Sequence, residues 1–320
     1  MQELAIGIDI GGQSSKCGVV TKDGTILEQS VVTSLIDSFD EYIELLAGTV
    51  RDLIRKTAHK GTVKGIGIGA PNANRIDGTI RYAPNLRWAR DSEGKPGVVY
   101  LADSLKQATG LHVRITNDAN AAARGEKIYG IAKNIGDFIM ITLGTGVGSG
   151  IITNGRLLYG HDGFAGELGH VCAVQGGRQC NCGLKGCLET YASAMGVART
   201  AREFLQNDNR ESLLRKLDPE KISSKDIYDA AVQGDQLARE IFAFTGRILG
   251  RALGDFVKFS SPKAIILFGG LTKSREFFHD EMVQAMNDNL LQVWKGKIPI
   301  LYSSLKESDA AILGASSMVW

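Results

Sequence analysis

The stretch Glu167–Glu189, with the sequence ELGHVCAVQGGRQCNCGLKGCLE, decides how this chain is read. Inside this stretch, 18 positions contain one imidazole and three thiols that could bind one metal ion, at His170, Cys180, Cys182 and Cys187. Four such ligands suit tetrahedral zinc, and a metal whose four positions are all filled by protein is structural. Cys172, two residues after His170, is a competing ligand. The alternative is a set of reduced thiols without metal.

Length and composition indicate an ordinary globular protein, and 320 residues favour two domains. The formal net charge of +2 and the absence of a long basic run imply no general affinity for nucleic acid or for a membrane surface. No basic leader precedes the first apolar run, and no apolar run reaches the length of a membrane span. Five cysteines, three of them clustered, predict a reducing cytoplasm rather than a disulfide framework.

Apolar runs that end in glycine predict the order β-β-β-α-β-α-β for the first half of the chain. The predicted strands are 4–10, 16–20, 26–33, 63–69 and 112–116, and the predicted helices lie near 39–54 and 101–109. The order then starts again with strands 137–143 and 148–153, strand 264–268, a helix near 275–289, strand 298–302 and a helix near 309–319. Two α/β halves of duplicated topology would place one glycine-rich hairpin each across a central cleft.

Two glycine-rich turns follow strands at equivalent places in the two halves. Asp9-Ile10-Gly11-Gly12 lets backbone N–H groups approach a phosphate, and Asp9 can hold Mg²⁺ directly or through water. Leu143–Gly148 is the second turn, and it lacks the features of a Walker loop or a dinucleotide fingerprint. Each turn alone is also compatible with an ordinary hairpin. Their equivalent positions favour phosphate binding.

Asn117 and Asp118 follow a predicted strand and start an alanine-rich helix. Asp118 has two interpretations, a helix cap or a general base at the end of a strand. Phosphoryl transfer to a hydroxyl needs a positioned base, a metal and backbone donors. The residues described so far supply candidates for all three.

These motifs resemble the ROK family of sugar kinases and sugar-responsive repressors, within the actin-like ATPase superfamily with its ribonuclease H-like fold. The resemblance covers essentially the whole chain, and within the family it is strongest to bacterial glucokinases. It rests on Glu167-Leu168-Gly169-His170, on the three clustered cysteines and on Asn117-Asp118. Similar stretches are 67–72, 83–86 and 159–167. It implies a small domain of 1–117 with about 303–320, and a large domain of 118–302 that contains the zinc loop 170–187.

The resemblance also implies a role for each matching residue. Asp118 would activate the sugar 6-hydroxyl, and the other sugar-binding positions would be Asn72, Asn85, Asn117, Glu167, His170 and Glu189. ATP with Mg²⁺ would bind at Asp9, Gly11, Gly12, Gln13, Lys16, Thr145, Gly146, Gly269 and Gly270. Structural zinc would bind His170, Cys180, Cys182 and Cys187, and the zinc would fix the His170 tautomer.

Two positions depart from the family pattern. Gln13 stands where the family usually has Thr, so a longer amide would have to make the phosphate contact. Asn72 stands where glycine is common, and it either contacts sugar or only turns the chain.

The resemblance therefore implies a cytoplasmic, homodimeric hexokinase that transfers the γ-phosphate of ATP to the 6-hydroxyl of glucose. N-acetylglucosamine, N-acetylmannosamine and mannose stay open as substrates. A sugar-sensing repressor would carry a DNA-binding segment ahead of the first strand, and only three residues precede Leu4. A chaperone-type ATPase of the same superfamily would lack the hexose pocket and the zinc loop.

Overall fold

The computed structural model describes residues 2–320, and these divide into two compact units. The first unit contains the chain up to Gly136, then Gly150–Gly166 and Ser303–Trp320. The second contains Asp137–Ser149 and Glu167–Tyr302. Throughout 2–320, none of the helices combines the length and the apolar character that a membrane crossing requires.

The strands, in chain order, are β1 (Gln2–Ile10), β2 (Ser14–Thr21), β3 (Ile26–Thr33), β4 (Gly61–Gly69), β5 (Ile80–Arg81), β6 (Val98–Val99), β7 (Val113–Thr116), β8 (Phe138–Leu143), β9 (Val147–Thr153), β10 (Arg156–Leu157), β11 (Ala264–Phe268) and β12 (Ile300–Tyr302). The helices are α1 (Phe39–Thr57), α2 (Leu101–Thr109), α3 (Asp118–Ile128), α4 (Glu189–Ala192), α5 (Ala194–Asn207), α6 (Ser224–Val232), α7 (Gln236–Ser260), α8 (His279–Asp288) and α9 (Glu307–Ser316).

The first unit is built on a sheet of order β3-β2-β1-β4-β7, in which β1 pairs antiparallel with β2 and parallel with β4. Strand β1 is buried on both faces, which explains its unbroken apolar run. On one face α9 lies directly on the strands. A Cβ atom at Gly7 would stand 2.1 Å from the carbonyl oxygen of Ile312, and one at Gly67 would stand 1.9 Å from that of Ala315. Glycine at these positions therefore allows the close approach of the helix.

The second sheet has the order β10-β9-β8-β11-β12, and the chain passes from the second unit into the first within β9. Strand β11 pairs in parallel with both β8 and β12. A separate apolar core covers this sheet, and the long helix α7 contributes more than ten buried residues to it. The turns that follow these parallel strands lie at the edge formed by the carboxyl ends of the strands. Folds of this class bind their ligands at that edge.

Helices α7 and α8 run side by side in close contact along a stripe of glycines. Cβ atoms at Gly246 and Gly250 would stand 2.5 Å and 2.1 Å from the carbonyl oxygens of Phe278 and Met282. Gly254 continues the stripe one turn further along, opposite Met286. Because the partner advances by four residues with each glycine, the two helices are parallel.

The duplicated β-β-β-α-β-α-β pattern predicted from the sequence is confirmed in its strands and in its main helices. One difference lies at 275–289, where a 3₁₀-helix covers Gly270–Phe277 and α8 begins only at His279. The contact-based units also differ from the expected domains. Helix α3 and the segment 150–166 group with the first unit because α3 packs against α9 and β4. The chain re-enters the first unit at Ser303, and the sequence-based division at residue 118 stays a prediction.

Candidate active site

The first glycine turn joins β1 to β2 at one edge of the sheet. The Gly11 N–H donates to the carbonyl of Ser14 (3.0 Å), which closes the turn. A Cβ at Gly12 would stand 2.8 Å from the carbonyl oxygen of Asn85, so the Asn85 segment lies against this turn. Two predicted sites, one for phosphate and one for sugar, are therefore in contact in the first unit.

Asp9 and Asp118 stand at the same edge of the sheet, Asp9 as the second-to-last residue of β1 and Asp118 two residues beyond the end of β7. Asp9 pairs in register with Gly69 of β4, and Gly69 pairs with Thr116, two residues before Asp118. Burial, followed by the charge of Asp118, raises the pKa of Asp9 to about 6, and Lys16 on the neighbouring strand opposes the rise. Burial also raises the pKa of Asp118 above its ordinary value. Asp118 is nonetheless exposed to solvent at this edge of the sheet.

The helix-cap interpretation of Asp118 is wrong, because the cap of α3 is Asn117. The Asn117 side-chain oxygen accepts from the N–H groups of Ala119 (2.8 Å) and Asn120 (3.2 Å). Asp118 is the first helical residue, and its Oδ1 accepts from the Ala119 N–H as well (2.8 Å). Both side chains are therefore held in place by the first turn of α3, at the positive end of the helix.

The two remaining asparagines have different surroundings. Asn72 has a left-handed φ of 53°, and its Nδ2 donates to the carbonyls of Arg81 (3.0 Å) and Tyr82 (3.3 Å). This geometry matches the chain-turning alternative, because the side chain fixes the strand β5. Asn85 is exposed, and its side chain remains open to a ligand.

Gln13 and Lys16 are both exposed beside the first turn. The Gln13 carbonyl accepts from the N–H of Ser34 (2.9 Å). Beneath it lies a buried chain of three hydroxyls, in which Ser15 Oγ is 2.9 Å from Ser34 Oγ and 2.6 Å from Tyr42 Oη. The loop is therefore fixed through its backbone, which leaves the Gln13 amide free to approach a phosphate.

In the second unit, the turn Gly144–Gly146 joins β8 to β9 and contacts Glu189. Glu189 Oε2 accepts from the N–H of Val147 (3.0 Å) and occupies the space where a Cβ at Gly146 would be, 2.4 Å away. The structure thus brings together a predicted sugar ligand and a predicted phosphate turn. The sequence gives no sign of this contact, because 42 positions separate the two residues.

Gly269 and Gly270 follow β11 and lie beside the same turn. Gly269 has a left-handed φ of 107°, and a Cβ there would stand 2.5 Å from the carbonyl oxygen of Leu143, the last residue of β8. Glycine is required on both counts. The predicted nucleotide residues of the second unit, which also include Thr145, therefore share one edge of one sheet.

Glu167 directly precedes a single 3₁₀ turn, Leu168–His170, of which His170 is the last residue, and the His170 N–H donates to the Glu167 carbonyl (3.1 Å). Close packing fixes this turn, because a Cβ at Gly169 would stand 2.1 Å from the carbonyl oxygen of Val147. The segments that carry Glu167, His170 and Glu189 thus all contact the first residues of β9.

The four predicted zinc ligands converge. One ligand atom from each of His170, Cys180, Cys182 and Cys187 lies within 4.8 Å of all the others. Cys182 Sγ is 3.6 Å from Cys187 Sγ, and Cys180 Sγ is 3.9 Å from His170 Nδ1. Zn–S bonds of about 2.3 Å in a tetrahedron give an edge of about 3.8 Å, so the donor set fits zinc. With Nδ1 facing the thiols, the other ring nitrogen of His170 is available to a second partner.

Cys172 does not belong to this group. It pairs through the backbone with Cys187 in an isolated bridge, and its exposed side chain lies beside Gly186. The other four residues bring their ligand atoms together without Cys172, and their binding of zinc stays a prediction.

Sequence reasoning missed Arg178, which lies between the two glycines of the zinc loop and Cys180. Its guanidinium is buried and makes hydrogen bonds to Thr190, Gly196, Thr200 and Glu203. Arginine is mostly exposed in proteins, so a single sequence gave no reason to place this one inside.

Comparison with known proteins agrees with this arrangement. Residues 5–320 match the ROK family. A glucokinase of Thermotoga maritima is 35% identical over 318 residues, which cover 98% of this chain and 96% of that protein. A crystal structure of a ROK family glucokinase from Streptomyces griseus, in complex with glucose and AMPPNP, superposes with a TM-score of 0.77 at 32% identity and covers 98% of each chain.

A xylose repressor of Bacillus subtilis is 29% identical over 317 residues, which cover 98% of this chain and 76% of that protein. The chain belongs to the ROK family. The actin-like ATPase-type fold expected from the resemblance is thereby confirmed.

Proposed function

We propose that this protein is an ATP-dependent kinase that phosphorylates the 6-hydroxyl of glucose. The observation that carries the proposal is the pair of carboxylates, Asp9 and Asp118, beside the glycine turn at one sheet edge. The glucokinases among its relatives support the enzyme class and the substrate. Sugar sensing alone needs neither a general base nor a carboxylate for Mg²⁺, whereas phosphoryl transfer needs both.

In this proposal Asp118 accepts the proton of the 6-hydroxyl as the sugar oxygen bonds to the γ-phosphorus. The bond between that phosphorus and the β,γ-bridging oxygen breaks, ADP leaves with the electron pair, and Asp118 later loses its proton to solvent. The raised pKa of Asp118 brings the carboxylate closer to the working pH of a general base. The first turn of α3 holds it in position.

Asp9 is the proposed Mg²⁺ residue. The fit rests on its surroundings, because a carboxylate whose ionisation is opposed by burial and by a second carboxylate gains from a bound cation. When bound, Mg²⁺ neutralises charge on the phosphates. The N–H groups of Gly11 and Gly12, with Gln13 and Lys16, would contact the same phosphates from the first unit.

The second unit contains further residues that we propose for binding nucleotide and sugar. Thr145, Gly146, Gly269 and Gly270 share the edge proposed for the nucleotide. Glu167, His170 and Glu189 would bind sugar hydroxyls, with Asn117 and Asn85 contributing from the first unit. Structural zinc would hold the loop and fix the His170 tautomer, and it would take no part in the reaction.

The other hexoses remain alternatives of the same site. N-acetylglucosamine, N-acetylmannosamine and mannose differ from glucose at position 2. A pocket that hydrogen-bonds the 2-hydroxyl rejects analogues by as much as about four orders of magnitude. We propose glucose because the most similar glucokinase relatives match across nearly the whole chain.

A second candidate is a sugar-responsive regulator without kinase activity, favoured by the match to the xylose repressor. The two functions differ in one observable, which is turnover of ATP. We also propose that the protein is cytoplasmic and forms a homodimer, and that its product enters glycolysis.

The test is a coupled ADP-release assay with MgATP and a panel of glucose, mannose, N-acetylglucosamine, N-acetylmannosamine and fructose. We expect sugar-dependent ADP release with the highest kcat/KM for glucose. A higher kcat/KM for another hexose would reassign the substrate. Folded protein that binds glucose but releases no ADP with any sugar would support the regulator instead.

A further inference from the structure

The geometry points to Arg178 as a positioning residue for Glu189. The inference rests on the proposed function, because Glu189 is there a ligand of the sugar. Arg178 contacts neither proposed substrate. It acts on the segment that carries Glu189.

Arg178 is 7% exposed, and all of its donor capacity is used. Nε donates to Glu203 (3.1 Å), and Nη1 donates to the carbonyls of Thr190 (2.6 Å) and Gly196 (3.2 Å). Nη2 donates to Thr200 Oγ1 (2.9 Å) and to Glu203. A guanidinium has five N–H donors, and five bonds are formed here. A buried charge that is fully paired in this way is held in one orientation.

These bonds join three segments that surround Glu189. Arg178 belongs to the zinc loop, Thr190 is the residue directly after Glu189, and Gly196 and Thr200 lie in the first turns of α5. The Tyr191 ring lies under the guanidinium at 4.3 Å, and its hydroxyl accepts from the Arg178 N–H (2.9 Å). Arg178 therefore contacts the short helix α4 at two successive residues, Thr190 and Tyr191.

Helix α4 needs such support, because it has only four residues and no side-chain cap. An isolated helix of that length is unstable. At its first residue, Glu189 directs its carboxylate to the Val147 N–H beside the second phosphate turn. Any shift of α4 along its axis thus moves the proposed sugar ligand relative to that turn. The position of Glu189 is set by the arginine two residues upstream of the first zinc-ligating cysteine.

The test compares Arg178→Lys with Arg199→Lys. Lysine keeps the charge near Glu203 but loses the planar fork, so it cannot reach Thr190 and Gly196 together. Arg199 bonds the same Glu203 (3.1 Å) and the Gln179 carbonyl (3.1 Å), and the structure records no bond from it to α4 within residues 2–320. It is therefore a matched control for loss of an arginine at this cluster.

We expect Arg178→Lys to raise the KM for glucose about tenfold, equivalent to about 1.4 kcal/mol, with unchanged zinc content. The KM for MgATP should change much less, and Arg199→Lys should leave the glucose KM near the wild-type value. A purely structural role would lower the amount of active protein, and hence kcat, at constant glucose KM. That result, or equal effects of the two variants, would overturn the proposal.

Amide hydrogen exchange gives a readout that does not depend on turnover. Exchange at Ala192, Ser193 and Val147 should accelerate in Arg178→Lys and not in Arg199→Lys, since these N–H groups bond within α4 or to Glu189. Unchanged exchange would contradict the positioning role. If the wild-type protein phosphorylates no sugar, the proposed function fails. The exchange experiment still tests whether Arg178 positions Glu189, because it does not depend on turnover.

Discussion

Two carboxylates facing each other are an unfavourable arrangement that the first unit retains at its sheet edge. Asp118 is exposed to solvent, and its charge contributes to the raised pKa of Asp9. Such pairs are common at catalytic sites because a cation or a transferred proton relieves the repulsion. Each carboxylate therefore leads to a separate prediction.

We expect Asp118→Asn to lower kcat by about 10²- to 10⁴-fold, because the amide cannot accept the proton of the sugar hydroxyl. The amide is nearly the same size and still fits the first turn of α3, so glucose binding should stay measurable. Steady-state kinetics and calorimetric titration with glucose test both statements. Near-normal turnover in this variant would remove Asp118 from the role of base.

For Asp9, the prediction concerns stability without ligands. Native Asp9 keeps its proton up to about pH 6, whereas an unfolded aspartate ionises near pH 3.9. The native state thus binds more protons in this window, and its stability falls as the pH rises through it. The resulting loss of unfolding free energy at neutral pH is at most about 3 kcal/mol. Asp9→Asn should therefore be more stable than the wild-type protein by about 1–3 kcal/mol at pH 7.5, and by little at pH 4.

Urea unfolding of the ligand-free protein at the two pH values measures this difference. Glu44→Gln, an exposed change on α1, is the control and should alter the unfolding free energy little at either pH. A less stable Asp9→Asn at pH 7.5 would mean that the carboxylate is well paired in the folded protein. Activity should be lost in the same variant, because the proposed Mg²⁺ residue is gone.

At the residue scale, the sequence predicted functional residues that are clustered along the chain. It did not predict residues whose position depends on contacts between separate segments. The convergence of His170 with the three clustered cysteines was predictable because a dense set of metal-ligating residue types has few other uses. Capping by Asn117 rather than Asp118 depends on a shift of one residue at the start of a helix, which sequence patterns do not resolve. Arg178 and the contact of Glu189 with Val147 arise from packing between segments far apart in sequence.

Helices α7 and α8 show how single glycines set the distance between elements. A methyl group at Gly250 would collide with the Met282 carbonyl, whereas one at Gly48 in α1 would meet nothing within 4 Å. We expect Gly250→Ala to destabilise the protein by about 1–3 kcal/mol, because the helices must separate. Gly48→Ala should stabilise it by about 0.5–1 kcal/mol, because alanine loses less backbone entropy than glycine.

Chemical denaturation of the two variants checks this prediction, since the substitution is the same and only its surroundings differ. Destabilisation of equal size in both would indicate that helix separation is not the cause. The strands and long helices were predictable from apolar periodicity. The parallel contact of α7 with α8 was not, because glycine inside a helix is compatible with either a close contact or open solvent.

On the scale of the whole molecule, each unit has its own apolar core, and the zinc loop belongs to the second. Cys182 and Cys172 are both exposed cysteines of this loop, but only Cys182 is in the ligand group. Cys182→Ser should lose zinc and lower the melting temperature. Hydrogen exchange should increase in the loop and α4, while β1 and β4 in the first unit keep their protection.

Cys172→Ser is the matched variant and should keep one zinc per chain with a nearly unchanged melting temperature. Metal analysis, thermal unfolding and exchange measured on both variants test the assignment. Zinc loss from Cys172→Ser, or full zinc retention in Cys182→Ser, would contradict the ligand set. The sequence predicted which residues cluster, and the geometry was needed to separate Cys172 from that group.

The contact of α9 with Gly7 and Gly67 has a consequence for how the protein is made. The strands β1–β4 are translated before α9, the helix that covers one face of their sheet. At roughly 5–20 residues per second, the stretch of about 240 residues between β4 and α9 takes roughly 12–48 s. Throughout that interval the nascent β1–β4 strands have an uncovered apolar face. Synthesis of this chain should therefore depend on chaperones that shield these strands until α9 emerges.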